Sequence, residues 1–366
     1  MLHTSGGNDS FVERIFMSVE SMAPGSLVGM NPMLLNYICC PRCKGDLVVS
    51  EGSVENLING MLDCVACHAR YRVREGVPIL IADLTEAERL TAKNFGEQWT
   101  EVSTWKHIEE WEENEFNDYM LPLNGAVFAG KTCLEGGCGY GRNLIQAKGY
   151  GSTLAIGFDV GVGAIIAKRR GIDAISGDIL NPPFKGRFDI VFTFGVLQHV
   201  SNPDQGIQKL YELLKPGALF IHSVYSAENN FLLSHLLTPV RERVLRYLPP
   251  WIKWAIAWMA GVPTYIMFSL VYRPFSWHPR TNAWASSHLF YYDFLALHFK
   301  RLGFRIWISF IQDHINAPLA KYFSRATVER WLKEYGLTDP FVFFRNKNTW
   351  NFGGRRIAAD EAASRL

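Results

Sequence analysis

An α/β fold, with helices covering both faces of a mostly parallel sheet, follows from three features of the sequence. Short β-rich runs alternate with helical patterns between about residues 131 and 224, the rhythm of βαβ units. A glycine-rich turn leads from the first of those strands into its helix. The composition, 48% hydrophobic and 20% charged, is that of a globular chain and excludes the disordered, collagenous and polytopic membrane classes. At ~150 residues per domain, the 366 residues predict two or three domains with cores large enough to fold without disulfides.

With 37 Lys and Arg against 35 Asp and Glu, the net charge is +2, which gives no global footprint for nucleic acid. The cysteines number seven, and four of them form two Cys-x-x-Cys pairs, a usage that favours a reducing compartment. Met1 to Ser21 lacks the basic and apolar regions of a secretory signal. The expected address is therefore cytoplasmic.

In chain order, residues 1–35 carry scattered Gly and Pro and predict a loose arm with one short helix around Phe11 to Val19. Residues 36–83 form a compact cysteine-rich unit, and 84–121 a polar helical connector with Trp99, Trp105 and Trp111 spaced by six. Thr132–Glu135, Thr153–Asp159, Ala174–Ser176, Phe188–Phe194 and Ala218–Val224 have strand character. An apolar, aromatic insertion covers about 226–321. Ser324 to Gly336 then has the Ser start and Gly stop of an amphipathic helix, and Phe341–Phe344 with Thr349–Arg355 predict a final strand pair. The large domain thus spans 122–356, with a tail at 357–366.

Cys40-Pro41-Arg42-Cys43 and Cys64-Val65-Ala66-Cys67 are separated by 20 residues, a spacing at which two knuckles converge on one tetrahedral zinc. Four thiolates close every position, so Cys40, Cys43, Cys64 and Cys67 predict a structural site that contributes folding energy. The segments Tyr37 to Leu47 and Tyr71 to Leu80, which ends in Gly76-Val77-Pro78-Ile79-Leu80, resemble the zinc-ribbon activator domains that accompany tRNA and protein methyltransferases.

Thr132-Cys133-Leu134-Glu135-Gly136-Gly137-Cys138-Gly139-Tyr140-Gly141-Arg142 follows a strand and opens a helix. Gly137, Gly139 and Gly141 allow a tight turn with bare backbone for a ligand. A dinucleotide fingerprint would need a glycine where Arg142 stands, and no phosphate-cradling Gly-Lys-Ser/Thr is present. The run resembles the first motif of class I S-adenosylmethionine-dependent methyltransferases. Later landmarks keep that order: Ile156 to Asp159, Gly177-Asp178-Ile179, Phe188 to Val200 and Leu214 to Leu219. The resemblance implies a Rossmann-like seven-stranded mostly parallel sheet, with the small zinc ribbon ahead of it and the helical insertion within it.

It also implies roles. Glu135, Gly137, Cys138, Gly139 and Gly141 form the cofactor loop; Asp159, with Val160, takes the ribose hydroxyls, and Asp178, with Ile179, the adenine. Phe194, Gly195 and Val196 line the exit of the fourth strand, where the methyl group faces. The cofactor carries the activated methyl, so the protein mainly aligns donor and acceptor. A base is needed only where the acceptor must lose a proton; His199 is the first candidate and His314, in Asp313-His314, the second.

Trp254 to Tyr272 runs for 19 residues without a charge, nominally the length of a membrane span. A single crossing would tear the sheet in two, and Gly261 with Pro263 suggests two shorter helices instead. Two readings stand: an α-helical cap over the cofactor site, or a cap that also lies on a membrane through 241–272. The second draws on the basic flank Arg241, Arg243, Arg246 and Lys253 and on Trp251, Trp254 and Trp258.

The function expected is methyl transfer to a small, lipophilic biosynthetic intermediate on O, C or N. The rivals are an RNA or protein methyltransferase and a non-catalytic cofactor-binding scaffold. Asn181-Pro182-Pro183-Phe184 spells the motif of amino-methylating enzymes, but it follows the third strand rather than the fourth, and a loop is the expectation there.

Overall fold

The computed structural model describes residues 28–82, 84–295 and 304–358; the helix expected at Phe11 to Val19 lies outside them. The N-terminal unit is a four-stranded antiparallel sheet in sequential order, β1 (Leu47–Glu51), β2 (Gly60–Cys64), β3 (Arg70–Arg74) and β4 (Val77–Pro78). Residues ahead of it belong to the same body: the Met30 amide donates to the Leu57 carbonyl at 2.8 Å, and Leu34 is fully buried.

Two helices follow, α1 (Glu86–Val102) and α2 (Glu109–Met120). At the start of α1, Thr85 accepts from the Glu88 amide while the Glu88 carboxylate accepts from the Thr85 amide, so two otherwise unpaired donors are satisfied together. Glu109, Glu110 and Glu112 sit in the first turn of α2, where the helix dipole favours acids.

The large domain then runs β5 (Thr132–Gly136), α3 (Arg142–Gly149), β6 (Leu154–Asp159), α4 (Gly163–Arg169), β7 (Asp173–Ser176), β8 (Phe188–Phe194), α5 (Pro203–Tyr211) and β9 (Leu214–Tyr225). The cap comprises α6 (Thr238–Arg243), α7 (Pro250–Phe275), α8 (Pro279–His288) and α9 (Phe304–Asn316). The chain ends with α10 (Arg325–Glu334), β10 (Thr338–Arg345) and β11 (Thr349–Arg355). Among the described residues the sheet has seven strands in the order β10-β11-β9-β8-β5-β6-β7, with β5 to β9 parallel and β10 and β11 antiparallel. This is the Rossmann-like arrangement the sequence implied. Strand order reverses between β5 and β8, and parallel sheets bind ligands at the carboxyl ends beside such a reversal.

The two sheets share one core. Leu34, Ile38 and Leu62 of the ribbon pack in the same cluster as Leu134, Ile156 and Phe188, and Ile79 bridges Ser176 in parallel at the edge of β7. Arg169 adds a bidentate pair with Glu75 at 2.7 and 2.9 Å. The Asn181-Pro182-Pro183-Phe184 run belongs to this junction: Asn181 donates to the Pro41 carbonyl, Cys39 donates its amide to the Pro183 carbonyl, and Phe184 bridges Ile38. It is a loop that docks the ribbon.

The insertion departs from expectation in two respects. The apolar run forms one helix of 26 residues, not two. Gly261 lets Ile308 of α9 approach so closely that a Cβ would lie 2.2 Å from its Cδ1. Around Pro263, which has no amide to donate, carbonyls of the same turn take side-chain donors: the Thr264 hydroxyl donates to Ala260 at 2.7 Å and the Trp307 indole to Gly261 at 3.1 Å. Second, two of the basic flanking residues turn inward. Arg241 is 1% exposed and donates to the His314 carbonyl, and Lys253 is 4% exposed. Carbonyls at the end of α9 attract the guanidinium there.

Candidate active site

Gly137 and Gly139 hold φ of 68° and 50°, left-handed values that side chains rarely adopt. A Cβ at Gly137 would lie 2.5 Å from Val196, and one at Gly139 would press on the Trp99 indole at 3.1 Å. The loop is therefore clamped between the end of β8 and α1. Behind it, Asp159 accepts from the Gly139 amide at 3.0 Å and from the Gly161 amide at 2.9 Å, which leaves further lone pairs on both oxygens.

These elements enclose an open cleft of about 720 Å³. Gly137, Asp159, Val160, Asp178, Ile179, Gly195, Val196 and His199 form its sheet side, and Glu88, Phe95 and Trp99 of α1 its other wall. Cys138, Gly139, Gly141 and Phe194 stand behind that surface: the Cys138 side chain is buried, and Phe194 stacks on Tyr119 at 5.1 Å. Glu135 is buried as well. One carboxylate oxygen accepts from Asn143 at 2.6 Å and the other has no partner among the described residues.

Burial raises the carboxyls of the site: Glu135 to about 8, Asp178 to about 6, and Asp159 above the ordinary carboxylate range. An amino group beside Glu135 and hydroxyls beside Asp159 would supply the donors this environment lacks. This set of acceptors thus fits an amino-acid nucleoside such as S-adenosylmethionine.

A second cavity, of about 780 Å³, adjoins the first across Trp99. Trp105, Trp111, Tyr119, Tyr225, Phe294 and Phe310 make it aromatic, and Arg142 and Asp313 bring charge. Arg142 lies over the Trp111 ring at 4.9 Å and makes no ion pair among the described residues. Arg345, by contrast, is held by Asp118 at 2.7 Å and Glu115 at 3.3 Å.

The two candidate histidines fall on different sides of this boundary. His199 faces the first cleft and His314 the second, and the Tyr225 ring lies 5.8 Å from each. The Leu319 carbonyl contacts His199 Nδ1 at 2.6 Å and the Phe310 carbonyl His314 Nδ1 at 3.0 Å. A carbonyl only accepts, so both rings carry the proton on Nδ1 and present a bare Nε2. Burial lowers both, His199 to about 4. Tyr225 donates to Asp313 at 3.3 Å.

The sequence reading missed the contribution of α1. Phe95 and Trp99 are four residues apart on one helical face, a spacing that could have marked a lid, but nothing in the sequence says which cleft that face meets. Tyr225 ends a strand, the usual place for a site residue in such sheets.

In the ribbon, the four cysteine sulfurs lie within 4.8 Å of one another, with Cys40 to Cys67 at 3.6 Å and Cys43 to Cys64 at 3.4 Å. Sulfurs at ~2.3 Å from a tetrahedral zinc stand ~3.8 Å apart, so the donor set and its size fit that metal. Burial disfavours the Cys40 thiolate, but the Tyr71 hydroxyl at 3.0 Å and nearby amides outweigh it and bring the thiol down to about 6. A Cβ at Gly45 would crowd two of the sulfurs at 3.2 Å.

The profile of the methyltransferase domain family matches residues 108–339, well over half of the chain. The chain belongs to that methyltransferase family. A second profile, of Trm112p-like proteins, matches residues 31–76. Curated relatives of this family member include norajmaline N-methyltransferase of Rauvolfia serpentina, 32% identical over 32% of the chain and 43% of the relative. The tRNA U34 carboxymethyltransferase of Helicobacter pylori is 27% identical over 31% and 48%. The ubiquinone biosynthesis O-methyltransferase of Caulobacter vibrioides is 28% identical over 44% and 69%. The chain thus spans less than half the length of the first two. A solved complex of the Haloferax volcanii Trm112 methyltransferase activator with a candidate methyltransferase matches 40% of this chain and 64% of that one, at 22% identity and a TM-score of 0.33.

Proposed function

We propose that the protein transfers a methyl group from S-adenosylmethionine to a small lipophilic acceptor, on O, C or N, in a reducing, cytoplasmic setting. The observation that carries this reading is the adjacency of the two cavities: a cleft of carboxylates and bare backbone beside an aromatic chamber, with Trp99 as their common wall. S-adenosylmethionine supplies a methyl group already activated by its sulfonium.

The chain's own residues would bind and orient. Asp159 accepts from the ribose hydroxyls, Asp178 from the adenine amine, and the free oxygen of Glu135 from the cofactor ammonium. In the chamber, the Trp and Phe side chains exclude water around an apolar acceptor, and Arg142, lacking an acid partner among the described residues, suits a carboxylate or phosphate on it. His199 Nε2 is the proton acceptor where the acceptor must lose one, with His314 and Asp313 as a second route.

A second reading, transfer to RNA, draws on the tRNA-modifying relative and on the Trm112p-like ribbon. Titration calorimetry with S-adenosylhomocysteine, beside Asp159→Ala, tests the cofactor assignment. Binding weakened at least tenfold in the variant, about 1.4 kcal/mol, is expected. No binding by the folded, zinc-loaded protein overturns the proposal. Mass-spectrometric assay of lipophilic acids, RNA and protein then separates the acceptor classes, and binding without transfer to any of them favours the scaffold reading.

A further inference from the structure

Large apolar side chains are not spread evenly over the surface. Of the 22 that are exposed among the described residues, 16 fall between Phe231 and Phe290, in the segment that runs from the end of β9 through α6, α7 and α8. Patches of this kind mark an interaction site.

The long helix α7 is the centre of it. On its covered side Lys253, Ala257 and Gly261, four residues apart, are buried, and Trp254, Ile256, Tyr265, Phe268 and Tyr272 are half-buried against the α9 cluster. Ala257 is fully buried in one cluster with Trp307 and Ile308 of α9, and Ile308 closes on the bare backbone of Gly261. Elsewhere the helix is apolar all round, and a helix of that kind needs cover on every side. Only 11% of its apolar stretch between Trp251 and Phe275 is buried. Trp251 is 70% exposed, Met259 74% and Leu270 72%.

Charge selects the cover. Residues 231–292 contain Arg241, Arg243, Arg246, Lys253, Arg273 and Arg280 but one acid, Glu242, a net of +5, while the whole chain carries +2. Arg241 and Lys253 point inward, yet Arg243, Arg273 and Arg280 are exposed. A second copy of the chain on this face would set like charge against like. An anionic surface with an apolar interior meets both demands.

We infer that the outer face of the cap, centred on α7 with Arg273 and Arg280 beside it, docks on a bilayer rich in anionic lipid. The helix lies in the interface and does not cross. Strand β9 enters the cap, β11 follows it, and the two pair residue by residue from Tyr225 with Thr349 to Leu219 with Arg355, so both ends of the insertion belong to one body. The inner side of the same cap supplies Phe294, Phe310 and His314 to the aromatic chamber. A lipophilic acceptor held in the bilayer would thus meet the cap before the site.

Sedimentation of the full, zinc-loaded protein with vesicles tests this. Vesicles of phosphatidylcholine with phosphatidylglycerol should carry the protein down, those of phosphatidylcholine alone about tenfold less, and added salt should release it. Met259→Glu with Leu270→Glu should abolish binding to both, and Arg273→Glu with Arg280→Glu should erase the preference for anionic lipid, with S-adenosylhomocysteine affinity unchanged in each pair as the check on folding. Equal binding to both vesicles overturns the assignment to anionic lipid. No binding to either overturns the proposal, and a dimer in sedimentation velocity would then assign the face to a second copy.

Discussion

Asn181 donates its side-chain amide to the carbonyl of Pro41 at 2.9 Å, tying the loop after β7 to the first zinc knuckle. Asp178, three residues earlier, faces the cofactor cleft. The knuckle therefore braces the loop that carries Asp178, the residue proposed to meet the adenine. Asn181→Ala should cost about 1–2 kcal/mol of stability in thermal unfolding while S-adenosylhomocysteine affinity falls less than about tenfold. Total loss of binding with an unchanged melting temperature would place Asn181 in the site instead.

Removal of the metal should act through the same junction. Cys43→Ser, or a chelator, should lower the melting temperature by at least ~8 °C, the equivalent of ~3 kcal/mol or more in a domain of this size. The measurement is differential scanning calorimetry beside zinc stoichiometry. An equally stable, metal-free variant would show the ribbon to be self-supporting.

Glu135 makes stability and cofactor binding respond to pH in opposite ways. Burial lifts it to about 8 from an ordinary 4.5, so between those values the folded state holds a proton that the unfolded state has lost. Stability from this group is present below pH 4.5 and is lost as pH rises toward 8, by about 1.4 kcal/mol per unit. Glu135→Gln should flatten that slope relative to the parent in urea titrations. In the proposed binding mode the ammonium of S-adenosylhomocysteine would need the carboxylate, so its affinity should rise toward pH 8 in the parent and not in the variant.

His199 has the reverse sign. Its folded value is about 4 against an ordinary 6.5, so its contribution is complete above 6.5 and is lost as pH falls toward 4. His199→Gln should flatten the acid limb of the stability profile by about 1.4 kcal/mol per unit in that window. An unaltered limb would mean that the imidazole is charged in the folded protein.

The contact between Gly261 and Ile308 gives a packing test. Gly261→Ala places a methyl against the Ile308 Cδ1 and should cost about 1–3 kcal/mol. Ile308→Val removes that same Cδ1, so the double variant should be more stable than the sum of the single changes allows, by about 1 kcal/mol in a denaturant cycle. Strict additivity would separate the two residues.

Much of the sheet was legible because strands β5 to β9 are buried on both faces and their apolar runs are continuous. Their edges were less so: β9 begins at Leu214 and β10 at Thr338, ahead of the residues expected, because pairing with a neighbour extends a strand past its apolar core. The cysteine spacing and the glycine loop were legible because each chemistry needs fixed local geometry. What could not be read was long-range. Arg241 and Lys253 look like a solvated flank until the cap is folded around them, and Trp99 is only a connector residue until its helix lies across the cleft.

The cap leaves the body and returns to it at one point. Ser226 pairs with Phe323, and the Phe323 amide donates to the Tyr225 carbonyl at 2.9 Å. An excursion of roughly a hundred residues thus closes on itself at its base, and closing it costs only ~2.5 kcal/mol more than closing a linker of about six. Such a segment is an exchangeable cassette: a different cap, grafted at the same two positions, would alter what reaches the chamber without disturbing a rung of the sheet beneath.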